Sequence, residues 1–207
     1  MSEEAGVESA KTESVLDAAT EVFGRVGFKK AAVGEIASRA GVGKGTIYLV
    51  AASKADLYYR AIAREVAAWT AQIGAAVPLV GDPAEVLRTL LDEESRTLGD
   101  RPLVCALLSG RAVAAAPALA DRVGGLRLAA RKHLRAALRS AARAGVLRLD
   151  LDLEEVAVLL QDLQVATLLF HSAPDADEVE REGARYHRWD TLTTALIEGL
   201  HPRRAGG

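Results

Sequence analysis

Residues 33–57 read VGEIASRAGVGKGTIYLVAASKADL. In the first part, residues 35–40 set Ile36, Ala37 and Ala40 on one side at helical spacing, which predicts a short amphipathic helix. Gly41-Val42-Gly43 follows. Gly41 can take the left-handed conformation that ends a helix, and Val42 can plug the angle between two helices. Residues 44–49 predict a second helix that turns Ile47 inward and leaves Lys44, Gly45, Thr46 and Tyr48 outside. A cation, a residue without a side chain, a hydroxyl and a phenol suit a nucleic-acid groove. Ser53-Lys54-Ala55-Asp56 then opens a third helix with a capping-box pattern, Asp standing in for the usual Glu. Helix, glycine turn, helix is the pattern of a DNA-binding regulator.

The same stretch holds two decoys. Gly41-Val42-Gly43-Lys44-Gly45-Thr46 looks like a phosphate-binding loop, but that loop needs Ser or Thr directly after Gly-Lys, and Gly45 stands there. Ser38 occupies the place of its first glycine. The dinucleotide fingerprint fails at Thr46, where its third glycine belongs. Neither candidate follows a hydrophobic strand.

Working outward, helical patterns fill the chain and the fold class is all-α. Residues 9–26 carry the apolar stripe Val15, Ala19, Val22, Phe23 and Val26, with Gly27 as a stop and residues 1–8 expected to fray. From Ser53 a long helix runs through Tyr58, Ile62, Val66, Trp69 and Ile73, and the boundary between lobes is expected inside it. After the break at Pro78 and Gly81-Asp82-Pro83, helices are expected over 83–98, 102–115 and 119–144, the last with a kink at Gly124-Gly125. Gly145 ends that helix. Asp152 caps the next, which runs to about residue 172, and a final helix is expected over 177–199.

Composition agrees. The 207 residues are 50% hydrophobic but only 4% aromatic, which favours helices over sheets. The single cysteine, Cys105, excludes an internal disulfide, fits a reducing cytoplasm and lies in an apolar run that predicts burial. No apolar run approaches the ~18 residues of a membrane span, and the acidic N-terminus lacks a signal-peptide core. Net charge is −2, yet residues 23–54 hold Arg25, Lys29, Lys30, Arg39, Lys44 and Lys54 against Glu35 alone. That concentrates positive charge on the DNA-binding unit. The later arginines (Arg127, Arg131, Arg135, Arg139, Arg143) are interleaved with leucines and read as a solvated helix face.

The last two helices carry broad apolar surfaces, with Leu160, Leu163 and Phe170 on one and Trp189, Leu192 and Leu196 on the other. Pairing with their symmetry mates would make a four-helix dimer interface. Polar residues interrupt the first of these helices at Gln161, Gln164, Thr167 and His171; with Arg111 and His133 they are the candidates to line a pocket. The Ala- and Leu-rich surroundings suit an apolar or amphipathic ligand. His133, His171, His187 and His201 show no metal-ligand spacing, and Leu108-Ser109-Gly110 lacks the glycine a nucleophile elbow needs. No catalytic residue, metal or cofactor is expected.

The first 57 or so residues resemble the TetR family of bacterial transcriptional regulators. The resemblance is carried by Ala18-Ala19, Val22-Phe23, Gly27-Phe28, Glu35-Ile36-Ala37, Ala40-Gly41-Val42, Lys44-Gly45-Thr46-Ile47-Tyr48, and Ser53-Lys54 with Leu57. It implies a three-helix DNA-binding domain (9–57) and a roughly six-helix ligand-binding and dimerisation lobe (58–200). The implied function is that of a homodimer that leaves a palindromic, double-stranded DNA operator when a small molecule binds the lobe. By motif position Lys44, Gly45, Thr46 and Leu49 would face bases or the groove wall, and Tyr48 and Lys54 would hold phosphates. Gly34 would sit at a base-facing position with no side chain to read with. The chain departs from the family at Ala31-Ala32, where Thr-Thr is frequent, at Gly43, where Ser is common, and at Val50-Ala51, where an aromatic followed by Phe is common. Those departures motivate an alternative: a TetR-like ligand- or protein-binding module with weakened or lost DNA binding.

Overall fold

The computed structural model describes residues 2–77, 80–147, 150–170, 191, 194 and 195. Among them every regular element is helical: α1 Ser2–Lys30, α2 Val33–Arg39, α3 Lys44–Val50, α4 Lys54–Ala76, α5 Pro83–Leu98, α6 Pro102–Leu108, α7 Arg111–Ala115, a 3-10 turn at Pro117–Leu119, α8 Val123–Ala130, α9 Lys132–Arg143 and α10 Leu153–Phe170. The expected final helix lies outside the described residues. No helix among them is long and apolar enough to cross a membrane.

Helix α1 begins earlier than expected, at Ser2, and takes in the residues expected to fray. It breaks at Gly27 as expected, but a further turn carries Phe28, Lys29 and Lys30.

Two compact units share the chain. The first is Met1–Trp69 with Arg101–Ala130; the second is Thr70–Asp100 with Arg131–Gly207. The boundary between Trp69 and Thr70 falls inside α4, whose stripe of Tyr58, Ile62, Val66, Trp69 and Ile73 is buried throughout. In the first unit α1 packs on α2, α3, α6 and α7, and α6 packs on α8. In the second, α9 packs on both α5 and α10 through Leu87, Leu90 and Leu91 on α5, Leu134 and Leu138 on α9, and Ala157 and Leu160 on α10.

The middle of the chain is more broken than its propensities suggest. In place of one helix over 102–115 there are two, because Gly110 turns left-handed (φ 75°) and the Ser109 hydroxyl donates back to the Cys105 carbonyl at 2.7 Å. In place of one helix over 119–144 there are α8 and α9, separated at Arg131 (φ −90°, ψ 2°). Gly124 and Gly125 are not the break; they sit in the first turn of α8, where backbone N–H groups have no intrahelical partner anyway. Cys105 is buried. Burial pushes its thiol pKa up, against the Arg111 guanidinium, which donates to Sγ at 3.3 Å.

Glu65 supplies a cap that sequence reading missed. Arg101 gives α6 no side-chain cap, and the Glu65 carboxylate accepts the Val104 N–H at 2.7 Å instead. A carboxylate from α4 thus satisfies an orphan donor at the start of another helix. Burial raises the Glu65 pKa, and the Val104 and Leu103 N–H groups oppose the shift.

Candidate nucleic-acid interface

Helix α2 ends where Gly41 takes φ 67°, a conformation that costs a residue with a Cβ but not glycine. The Val42 N–H then donates to the Ala37 carbonyl at 3.0 Å, and the Gly41 N–H to Ser38 at 3.2 Å, closing the end of the helix. The Ser14 hydroxyl on α1 donates to the Ala40 carbonyl at 3.0 Å, which ties the turn to the domain. Ile36, Ala37 and Ile47 bury the inner faces of α2 and α3 against a core that holds Val22, Phe23 and Leu57.

The start of α4 is fixed as the sequence predicts. The Ser53 hydroxyl accepts the Asp56 N–H at 3.0 Å, and the Asp56 carboxylate accepts the Ala52 N–H at 3.2 Å. Asp56 also takes Arg60 at 3.1 Å and Arg122 at 2.9 Å. Desolvation raises the Asp56 pKa, but the hydrogen bonds from Arg122, Arg60 and Ala52 outweigh it and hold the group below the ordinary carboxylate value. By contrast Ala32 stands at the N-cap of α2 with no side-chain hydrogen bond to offer. A Ser or Thr there contributes about 1 kcal/mol to a helix.

With its inner face so anchored, α3 turns the rest outward. Lys44 and Gly45 are exposed, Thr46 is half-buried, and Tyr48 and Leu49 are 55% and 85% exposed. Gly34 is half-buried beside them, and a Cβ on it would stand 2.8 Å from Lys44 Cε. Its bare backbone is what lets the lysine lie across α2. Lys54 sits elsewhere: its ammonium lies 4.8 Å from the centroid of the Phe28 ring and donates to the Lys29 carbonyl at 3.4 Å. Phe28 in turn packs on Phe23 and Tyr58, with centroids 6.2 and 5.2 Å away.

The basic cluster is less positive in space than in sequence. Arg25 pairs with Glu35, and Arg39 pairs with Glu21 on α1. Lys29, Lys30 and Lys44 are exposed and belong to none of the described ion pairs. Counting charge by segment missed this, because helices distant in the chain neutralise one another.

The pocket candidates divide. Arg111 belongs to the first unit, where it donates to the Ser109 hydroxyl at 3.0 Å and to Cys105. The others lie in the second unit, except His171, which is outside the described residues. His133 Nε2 lies 2.8 Å from the Thr70 carbonyl and so carries its proton there. Its ring occupies the space a Cβ on Gly74 would need, at 2.8 Å. Gln161 and Gln164 are buried on one face of α10. Gln161 Oε1 accepts from Arg131 Nε at 2.6 Å, while its buried Nε2 has no hydrogen-bond partner among the described residues. Gln164 Nε2 donates to the Leu91 carbonyl at 3.4 Å and to Glu94 Oε2 at 3.3 Å. Thr167 is half-buried one turn further on.

Glu94 is the residue sequence reading missed. It is 1% exposed, and burial pushes its carboxyl up to about 8 against the lowering effect of Gln164. The signal was present: Leu87, Leu91, Glu94 and Leu98 share one helical stripe, which puts an acid at a core position. Of the dimer candidates, Leu160 is buried within its own chain and Leu163 is half-buried. Phe170, Trp189, Leu192 and Leu196 have no described side chains.

A helix-turn-helix domain anchored by α1, with Lys44, Tyr48 and Leu49 exposed on its second helix, is the architecture of a DNA-binding transcriptional regulator. Residues 15–65 match the N-terminal domain of the bacterial regulatory proteins of the tetR family. No curated protein matches the chain. Among solved structures it is similar to the fatty acid degradation regulator FadR from Bacillus halodurans, with 20% identity, TM-score 0.72, and 93% of this chain and 97% of that one covered. FadR from Bacillus subtilis, solved in complex with stearoyl-CoA, shares 17% identity with TM-score 0.73 over 91% of this chain and 99% of its own. The ketosteroid transcriptional regulator KstR2 of Mycobacterium tuberculosis shares 18% identity with TM-score 0.61, over 93% and 95%. At these identities the likeness is one of fold.

Proposed function

We propose that the chain is a homodimeric repressor that binds a palindromic operator in the cytoplasm through residues 9–57. A small apolar or amphipathic molecule entering the 58–200 lobe releases it. The observation that carries this reading is the outer face of α3, where a lysine, a phenol and a leucine are exposed on a helix whose inner face is locked. Lys44, Gly45, Thr46 and Leu49 meet the groove, with Gly34 beside them, and Tyr48 and Lys54 meet phosphates. For Lys54 this means leaving the Phe28 ring.

The lobe holds its ligand against Gln161, Gln164, Thr167 and His171. The buried Gln161 amide supports this, because a donor with no partner favours a ligand that brings an acceptor. His133 is a weaker candidate, since its ring nitrogen already bonds the Thr70 carbonyl, and Arg111 belongs to the first unit, where Ser109 and Cys105 are its partners. That the Bacillus subtilis relative was solved with stearoyl-CoA makes long-chain acyl compounds the first to try. Dimerisation uses Leu160, Leu163, Phe170, Trp189, Leu192 and Leu196.

The test is fluorescence anisotropy with DNA from upstream of the gene against a scrambled duplex, at two salt concentrations. Expected are specific binding that weakens with salt, loss in Lys44→Ala/Tyr48→Ala, and release by an acyl-CoA. A second reading, a binding module with weakened DNA affinity, is favoured by the pairing of Arg25 and Arg39 and by the uncapped Ala32. Equal, weak binding to both duplexes, followed by failure to select any sequence from a random pool, would decide for it.

A further inference from the structure

Two residues of α3 have no role in the fold. Gly45 lies inside the helix without positive φ, and a Cβ added to it meets nothing within 4 Å. Neither backbone conformation nor packing calls for glycine at this second helical residue, and glycine costs more backbone entropy to order than alanine. Leu49 is 85% exposed, the highest value among the exposed large hydrophobic side chains described. Four residues apart, the two share one face of α3, so a bare stretch of backbone lies one turn from a fully presented isobutyl group. Lys44 and Tyr48 flank that strip with groups that suit phosphates.

The chemistry of the strip is selective. A leucine has no donor or acceptor, so set against the polar edge of guanine, adenine or cytosine it would strip water from groups it cannot satisfy. The one apolar group that an unmodified base pair offers in the major groove is the thymine 5-methyl. Gly45 removes the side chain that would otherwise hold the helix away from the groove floor.

We propose that Leu49 reads the 5-methyl group of a thymine in each operator half-site, with Gly45 providing the close approach that brings the two together. This rests on the DNA-binding reading above and names a specificity determinant within it.

The test begins by selecting duplexes from a random pool with the full-length protein. Each thymine of the selected half-site is then replaced in turn by deoxyuridine, which removes the methyl and nothing else, and binding is read by anisotropy. One thymine per half-site is expected to lose roughly fourfold in affinity on replacement, the worth of one buried methyl. Leu49→Ala should abolish that thymine–uracil difference at that position alone. Gly45→Ala should raise the melting temperature while weakening the selected duplex. Leu49 is a surface residue, so an unchanged circular dichroism melt serves as the folding control.

Specific binding that no uracil replacement alters overturns the proposal and leaves the DNA-binding reading standing. So does a uracil effect that survives Leu49→Ala. If Leu49→Ala instead leaves DNA binding intact and dissolves self-association, the leucine serves a protein contact and the proposal fails. If the folded wild type selects no sequence, both the proposal and the reading beneath it fall.

Discussion

Each compact unit pairs arginines with acids at its surface and buries a glutamate, but the two buried glutamates find different partners. In the first, Glu65 accepts the backbone N–H of Val104. In the second, Glu94 is buried beside the Gln164 amide and no arginine is bonded to it among the described ion pairs. Exposed pairs cost little to make and little to break, so they set orientation without rigidly committing stability. A buried acid against an amide keeps its proton and makes stability depend on its surroundings.

The sharpest way to break this contrast is through the anchor of the presented face. Ile47→Ala removes the fully buried side chain of α3 and should cost about 2–5 kcal/mol by urea unfolding. It should abolish DNA binding, whereas the pH dependence of the second unit should not change. If binding persisted, the locked inner face would not be what makes α3 a reader.

Glu94 provides the next largest effect. Its folded pKa, about 8, lies above the ordinary glutamate value, so the folded state keeps a proton that the unfolded chain releases. Stability is therefore full below about pH 4.5 and declines as the pH rises toward 8, then levels off. Glu94→Gln should stabilise the protein at pH 8, leave it nearly unchanged at pH 4.5, and flatten the slope between. Glu65 is shifted in the same direction and leaves a residual slope. Thermal melts across that range decide it; an unaltered slope in Glu94→Gln would mean the acid ionises in place.

Ala32→Ser should raise stability by about 1 kcal/mol by supplying the missing cap of α2, read in the same unfolding experiment. No change would show that the carboxylate of Glu35 in the first turn already compensates. Smallest of all, Arg25→Met should change stability by less than about 0.5 kcal/mol, since its pair with Glu35 is exposed. A larger loss would show that this pair does more than an exposed ion pair can.

The same contrast explains what could be read from sequence. The helix-turn-helix was legible because its determinants are local: Ile36, Gly41, Ile47 and the Ser53–Asp56 cap each act within a few residues. The break at Gly110 and the split at Arg131 were not, since the Ala, Leu and Arg around them favour helix wherever they fall. Pairing of Arg39 with Glu21 was hidden for a related reason, as it joins residues 18 apart. Glu94 was different: its position on a leucine stripe was visible, and only its protonation required the surrounding core.

Cys105 has a practical consequence. A lone thiol that is buried, raised in pKa and covered by an arginine reacts slowly with maleimides and methanethiosulfonates. The native chain is thus already a near-silent background for site-directed labelling. A cysteine placed on the surface of each unit could take a spin-label or donor–acceptor pair without first removing the wild-type residue, and distances during ligand binding could be followed in the unaltered core.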